Sequence, residues 1–178
     1  MDPSDFPGVV ITDLVSHADG RGAFIELYRQ EWLPEGSPPI LQSNLSRSRA
    51  GVLRGLHYHL QQADYWCVLE GRAFVALVDL RDGSPTFRAV RTIDFDADER
   101  LRGLYVPPGV AHGFCARSDV ALLYQVDAYF TGKDEHGVAW DDPDLAIAWP
   151  LAEPVLSDRD RANPSLAEAL RDAPRFGG

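Results

Sequence analysis

Short runs of β-branched and aromatic residues recur along nearly the whole chain, each closed by a turn signal, and this pattern most restricts the fold. The runs include "GVVITDL", "RGAFIELY", "PPILQSNLS", "GVLRGLHYH", "YWCVLEG", "RAFVALVDL", "FRAVRTIDF", "GLYVPPGVAHGF" and "VALLYQVDAYF". Between them stand "HADG", "PEGSPP", "RDGSP" and "ADERLRG", rich in the residues that turns require. Many short strands at near-regular spacing predict an all-β sandwich or barrel. In "AFVALVDL" one face carries Phe74, Ala76 and Val78, and the other Val75, Leu77 and Asp79. Both faces are largely apolar, so this strand is expected to be covered on two sides. One helix is predicted, in "NPSLAEALRDA", with Asn163 or Ser165 as N-cap and a proline at its start. With 178 residues and no internal repeat or long linker, the chain reads as a single domain over 1–178. Its core is expected over about 8–150, followed by a C-terminal helical segment, 151–178, folded back on the barrel.

Charge excludes one class of partner. The formal net charge is −10, from 27 acidic and 17 basic residues. A nucleic-acid or anionic-membrane surface draws most of its affinity from a basic footprint, and none is present. Lys133 is the only lysine beside sixteen arginines, so a mechanism needing a lysine has a single candidate. No apolar run approaches the roughly 20 residues that span a bilayer. The start, "MDPSDFPG", lacks the basic and apolar regions of a signal peptide. Cys67 and Cys115 lie in apolar stretches and read as two buried free thiols rather than a disulfide framework. These features point to a cytoplasmic protein.

Chemistry concentrates in "GVLRGLHYHLQQADYWCVLEG", which holds two of the chain's five histidines. His57 and His59 alternate, so on a strand they face one side. His57, His59 and Asp64 lie on and just after that strand. His112 follows the tight turn formed by Pro107, Pro108 and Gly109, and a barrel can bring the two strands together at its mouth. Three imidazoles and a carboxylate suit a divalent transition metal. Polar residues facing water at a barrel mouth account for the same pattern.

The spacing from Gly51 to Gly71, G-x5-H-x-H-x4-D-x6-G, resembles the first cupin motif with aspartate in the usual glutamate position. Gly103 to His112, G-x3-P-x-G-x2-H, resembles the second with one spacing shortened. A more specific likeness covers six blocks in order: "RGAFIELY", "QSNLSRSRAGVLRGLHYH", "VDLRDGSPTF", "VPPGVAHGF", "GVAWDDPDLAIAWP" and "LSDRD". Together they resemble the dTDP-4-dehydrorhamnose 3,5-epimerase family, cupin-fold isomerases of nucleotide-linked 4-keto-6-deoxy sugars. The resemblance implies a cupin-type β-barrel (jelly roll), no required cofactor, and a homodimer that exchanges an N-terminal strand.

A 4-keto group acidifies the hydrogens on carbons 3 and 5. Inversion then needs a base, an acid on the opposite face, and a group that holds the enolate charge. The resemblance assigns His57 as base, Asp160 as its orienting partner and Tyr124 as the acid. It assigns Arg54 to the phosphates, since arginine pairs bidentately with phosphate oxygens. Gln42, Asn44 and His112 match substrate-facing positions, and Arg21 and Glu26 match positions supplied by a partner subunit.

Two departures fall in one stretch. His59 stands where the family has glutamine, and Asp64 aligns with the lysine that sits beside the base. The connection between them is three residues shorter than in the typical member. Phe130 replaces a second tyrosine after Tyr129. Reversing charge beside a developing enolate opposes the standard reaction. A cation held by His57, His59, Asp64 and His112 would restore the sign, but a metal-bound His57 is no free base. Three functions therefore stay open: an isomerase of a nucleotide-linked 4-keto-6-deoxyhexose, a metal-dependent cupin enzyme on the same scaffold, and a non-catalytic sugar-nucleotide-binding homologue.

Overall fold

Alternating apolar strands with two covered faces need two layers of partners, and the chain supplies them as two sheets and a C-terminal wrap. The computed structural model describes residues 5–177; Met1–Ser4, part of the segment read as lacking a leader, and Gly178 lie outside the described residues. The strands are β1 (Val10–Asp13), β2 (Ser16–Asp19), β3 (Gly22–Ile25), β4 (Gln42–Ser48), β5 (Leu53–Tyr58) and β6 (Asp64–Glu70). They continue as β7 (Arg72–Asp79), β8 (Val90–Asp96), β9 (Arg102–Val106), β10 (Val110–Ala116), β11 (Val120–Val126) and β12 (His136–Gly137). One five-stranded sheet runs β1-β9-β6-β11-β4 and the other β12-β5-β10-β7-β8, with β2 and β3 forming a separate hairpin. The pairings between these strands are antiparallel. The fold is the all-β, cupin-like jelly roll expected from the strand pattern and the resemblance.

The core between the sheets joins Trp66, Val68, Leu104 and Leu122 of the first sheet to Val75, Leu77, Ile93 and Phe114 of the second. Leu77 and Leu104 are fully buried, and each such side chain contributes about 1.5–3 kcal/mol by leaving water. On the opposite face of the second sheet, Leu56, Ala76, Val78 and Ala111 pack against Val138, Leu145, Leu166 and Ala169. Strand β7 is thus covered on both sides, Val75 and Leu77 inward and Ala76 and Val78 under the C-terminal segment. Both cysteines are free and buried, as expected. Among the described residues, no helix is long and apolar enough to cross a membrane.

The C-terminal segment is less helical than predicted. Only α2 (Leu166–Ala169) is α-helical within "NPSLAEALRDA", and Leu170–Asp172 tightens into a 3-10 turn. Ser165 is the N-cap, in a capping box with Glu168. Asn163 instead directs its amide toward the carbonyl of Leu56. A second short helix, α1 (Asp158–Arg161), precedes it with Ser157 as N-cap. It carries Asp160, which by sequence alone reads equally as a turn residue.

One irregularity of β5 shapes the site. Strict alternation would point Arg54 and His57, three residues apart, to opposite faces, yet both line the same cavity. The register between β5 and β10 shifts between His112 and Phe114, which rephases the strand as a bulge does. The crossing is tight: a Cβ on Gly55, whose φ is +122°, would meet Gly113 Cα and His112 O at 2.8 Å. Glycine is required there by both backbone conformation and space.

Candidate functional site

Inward side chains of the two sheets converge on a cavity of about 420 Å³ at one end of the barrel. Cross-strand register sets its walls. Asn44, Tyr124 and Trp66 lie in one row across β4, β11 and β6, and Gln42, Val126 and Asp64 in the next. On the facing sheet His57 of β5 pairs directly with His112 of β10. His59 follows the end of β5 and still shares the cavity with His57, as their alternation implies.

His57 and Asp160 form a close pair, Nε2 to Oδ1 2.6 Å. The other carboxylate oxygen of Asp160 accepts from Ser157 Oγ at 2.7 Å, and its backbone N–H donates to the same hydroxyl at 3.1 Å. Burial opposes ionisation of Asp160, but the hydrogen bonds from His57 and Ser157 outweigh it and hold the carboxyl below the usual carboxylate range. An ionised Asp160 only accepts, so His57 Nε2 carries a proton, and in the neutral ring the lone pair is on Nδ1. On the opposite sheet, burial raises the Tyr124 phenol, and the charges of Asp64 and Glu135 add to this. Tyr124 therefore stays protonated at neutral pH.

A second cluster brings together His59, Asp64 and His112, all buried, with one donor atom from each within 4.8 Å of the others. His112 Nε2 lies 3.4 Å from Asp64 Oδ2 and His59 Nε2 3.9 Å from Oδ1. Gln62 Nε2 donates to Asp64 at 2.8 Å and Trp66 Nε1 at 3.2 Å. Burial pushes the Asp64 carboxyl up, and its histidine and Gln62 neighbours more than reverse this, so it is held low. Of the four residues read as a possible ligand set, His59, Asp64 and His112 come together, whereas His57 is turned to Asp160 and stands outside that group.

The shortened connection between His59 and Asp64 is held by the loop that carries Lys133, through the residue next to it. Asp134, from the polar "TGKDEHG" stretch, accepts from the backbone N–H groups of Leu60, Gln61 and Gln62 at 2.7, 2.9 and 3.1 Å. Its main-chain carbonyl accepts from His59 Nδ1. Lys133 itself does not line the cavity.

The other expected residues divide into two groups. Arg54 lines the cavity, steadied by Ser48 Oγ at 2.9 Å. Gln42 and Asn44 line it too, with Gln42 Nε2 donating to Asn44 Oδ1 at 2.9 Å. Phe130 sits at its edge, 67% exposed. Arg21 and Glu26 do not reach this cavity: Arg21 pairs with Asp19 at 2.6 Å and Glu26 with Arg29 at 2.7 Å. Residues missed from sequence include Trp66, Gln62, and an ion pair of Arg159 with Glu135 at 2.6 Å. The only signal for Arg159 was its place beside Asp160 in "LSDRD".

A family model described as dTDP-4-dehydrorhamnose 3,5-epimerase matches residues 3–168. A protein of that name from Streptomyces griseus is 41% identical over 179 residues, covering 96% of this chain and 88% of the relative. Another, from Neisseria gonorrhoeae, is 40% identical over 164 residues and covers 89% of this chain, which spans 50% of that relative's length. The solved structure of a double mutant of ChmJ, a 3′-monoepimerase from Streptomyces bikiniensis in complex with dTDP, is 35% identical with a TM-score of 0.90. That match covers 99% of this chain and 93% of the other. The chain belongs to the dTDP-4-dehydrorhamnose 3,5-epimerase family.

Proposed function

We propose that this protein is an isomerase that inverts carbon 3, carbon 5 or both of a dTDP-linked 4-keto-6-deoxyhexose, in deoxysugar biosynthesis. The observation that carries this is the His57–Asp160 pair, 2.6 Å apart, on one wall of a cavity whose opposite sheet presents Tyr124. His57 Nδ1 removes the proton next to the 4-keto group, and Asp160 stabilises the imidazolium that forms. Tyr124, still protonated, delivers a proton from the other face, and the centre inverts. Arg54 binds a phosphate of the dTDP group with its guanidinium fork, while Gln42, Asn44 and His112 contact substrate. The family reaction needs no cofactor.

Two features support a homodimer as the working form. The β2–β3 hairpin lies outside both five-stranded sheets, and Phe24 on it is 66% exposed. A second copy of the chain would cover it and bring Arg21 and Glu26 to the partner's cavity. The free, buried thiols suit a cytoplasmic location.

Incubation with dTDP-4-keto-6-deoxyglucose in deuterated water tests the reaction. Deuterium should enter carbon 3, carbon 5 or both with wild-type protein and nowhere with His57→Ala. Asp64, a carboxylate facing the cavity, favours one rival: a homologue that binds the nucleotide sugar without turning it over. Wild-type protein that binds substrate but never exchanges would establish that rival.

A further inference from the structure

Both histidines beside Asp64 have committed their Nδ1 hydrogens. His112 Nδ1 lies 3.0 Å from the carbonyl of Val110, and His59 Nδ1 meets the carbonyl of Asp134. A carbonyl oxygen only accepts, so each Nδ1 is the donor and each Nε2 of a neutral ring carries a lone pair. Those two lone pairs face the oxygens of Asp64, at 3.4 and 3.9 Å. With both rings neutral, acceptor thus meets acceptor at both contacts, and either a second proton on a ring or a cation bound between the groups relieves this.

The distances favour the cation. A charge-assisted N–H···O⁻ bond closes to about 2.7–2.9 Å, and both contacts are longer. Donors held around one transition ion at about 2.0–2.2 Å are separated by roughly 3–3.5 Å. The His112 contact has that length, and the His59 contact, at 3.9 Å, lies just beyond it. Outer-shell bonds from Nδ1 to carbonyls are also what orients a metal-binding imidazole. Among the described residues no arginine or lysine forms an ion pair with Asp64. Its neutral donors, Gln62 and Trp66, leave it a formal negative charge.

We infer that His59 Nε2, His112 Nε2 and the Asp64 carboxylate form a binding site for one divalent transition-metal ion, with His57 excluded from it. Three protein donors leave coordination positions open toward the cavity. A bound ion supplies a Lewis acid for a carbonyl oxygen, the charge that Asp64 removes from the family's pattern. The ion's binding does not depend on the nucleotide-sugar reading; only its use there does.

The test is calorimetric titration of the full-length, untagged, chelator-treated protein with Zn(II), Co(II) and Mn(II) separately, with Co(II) absorption as a second readout. One equivalent of at least one ion should bind at micromolar concentration or tighter. Asp64→Asn and His59→Gln should each weaken it by more than about a hundredfold, since even outer-shell changes cost 10–100-fold. His57→Asn should keep the affinity and the Co(II) spectrum. Titration of each variant with dTDP reports folding and separates failure of this site from failure of the nucleotide reading; His59→Gln serves if Asp64→Asn does not fold. The inference is overturned if no ion binds, if binding survives both changes, or if His57→Asn abolishes it. It is equally overturned if nitrogen NMR finds both Nε2 atoms protonated with the ions present.

Discussion

His57 and His59 are two residues apart and each faces an aspartate in the same cavity, yet the two pairs are built differently. The His57–Asp160 contact is short, 2.6 Å, and its parts match: an N–H meets an ionised carboxylate that Ser157 also holds. The His59–Asp64–His112 contacts are long, 3.9 and 3.4 Å, because both rings spend their Nδ1 hydrogens on main-chain carbonyls. The first pair is complete without further help and leaves a basic nitrogen free. The second, with neutral rings, sets lone pairs against carboxylate oxygens, and in the reading proposed above a cation completes it. In the proposed reading, identical residue types serve as a base in one place and a ligand set in the other, and the carbonyls bonded to the two Nδ1 atoms mark the difference.

The most damaging change to that division should be at the complete pair. His57→Ala removes the base, and turnover of a 4-keto sugar nucleotide should fall by about 10²–10⁴-fold, the range typical of a lost acid–base group. Asp160→Asn should approach the same loss, because an amide can offer His57 the wrong hydrogen-bond partner and free the wrong nitrogen. Steady-state rates with dTDP binding measured alongside check both. A His57→Ala protein at wild-type rate would transfer the base to the other cluster.

Next in size is Tyr124→Phe. It removes the proton donor on the opposite sheet and leaves the base, so deuterium exchange should persist while inversion falls by about a hundredfold. Mass and NMR analysis of recovered sugar distinguishes the two. Loss of exchange together with inversion would place the phenol at the first proton transfer rather than the second.

Arg54→Ala acts on binding. Losing a charged hydrogen-bond partner costs about 1.5–3 kcal/mol, so dTDP should bind more than tenfold weaker with the exchange pattern unchanged. Unchanged affinity by calorimetry would leave the cavity without its phosphate anchor.

How much of this was legible in the sequence follows the range of the forces involved. Strands are written locally, in alternation and turn residues, and the two-sided burial of β7 was readable from Val75, Leu77, Ala76 and Val78. Spacing also marked His57, His59, Asp64 and His112 as neighbours. It did not show that His57 leaves the group, since that depends on Asp160, 103 residues away in the chain. Nor did it show the role of Asp134, whose carboxylate ties down Leu60, Gln61 and Gln62 from 72 to 74 residues distant. The register shift that aligns Arg54 with His57 needs Gly55 against Gly113, a contact between strands rather than a property of either. Helix length erred for a related reason: Ser165 and Glu168 announce the start clearly, but a C-terminal boundary set by packing left α2 only four residues long.

The smallest effect on turnover, and a control for the comparison, comes from a third carboxylate that is fully satisfied and does not line the cavity. Asp79 is 0% exposed and accepts from Arg81 Nε at 2.8 Å, Ser84 Oγ at 2.5 Å and Thr86 Oγ1 at 2.6 Å. Burial raises its carboxyl, but Arg81, Ser84 and Thr86 overcome this and hold it below the ordinary value of 3.8. A depressed folded-state value means the unfolded chain binds the proton more readily, so stability from Asp79 is present in full above about pH 4 and disappears as pH falls through the folded value. Removing one member of a buried pair costs about 3–5 kcal/mol. Asp79→Asn should therefore lower the urea midpoint markedly at pH 7, and the gap to wild type should narrow below pH 4. Turnover per folded molecule at pH 7 should not change. A gap that stays constant down to pH 2 would show that Asp79 contributes shape rather than charge, and the "VDLRDGSPTF" block would owe its place in the fold to its turn alone.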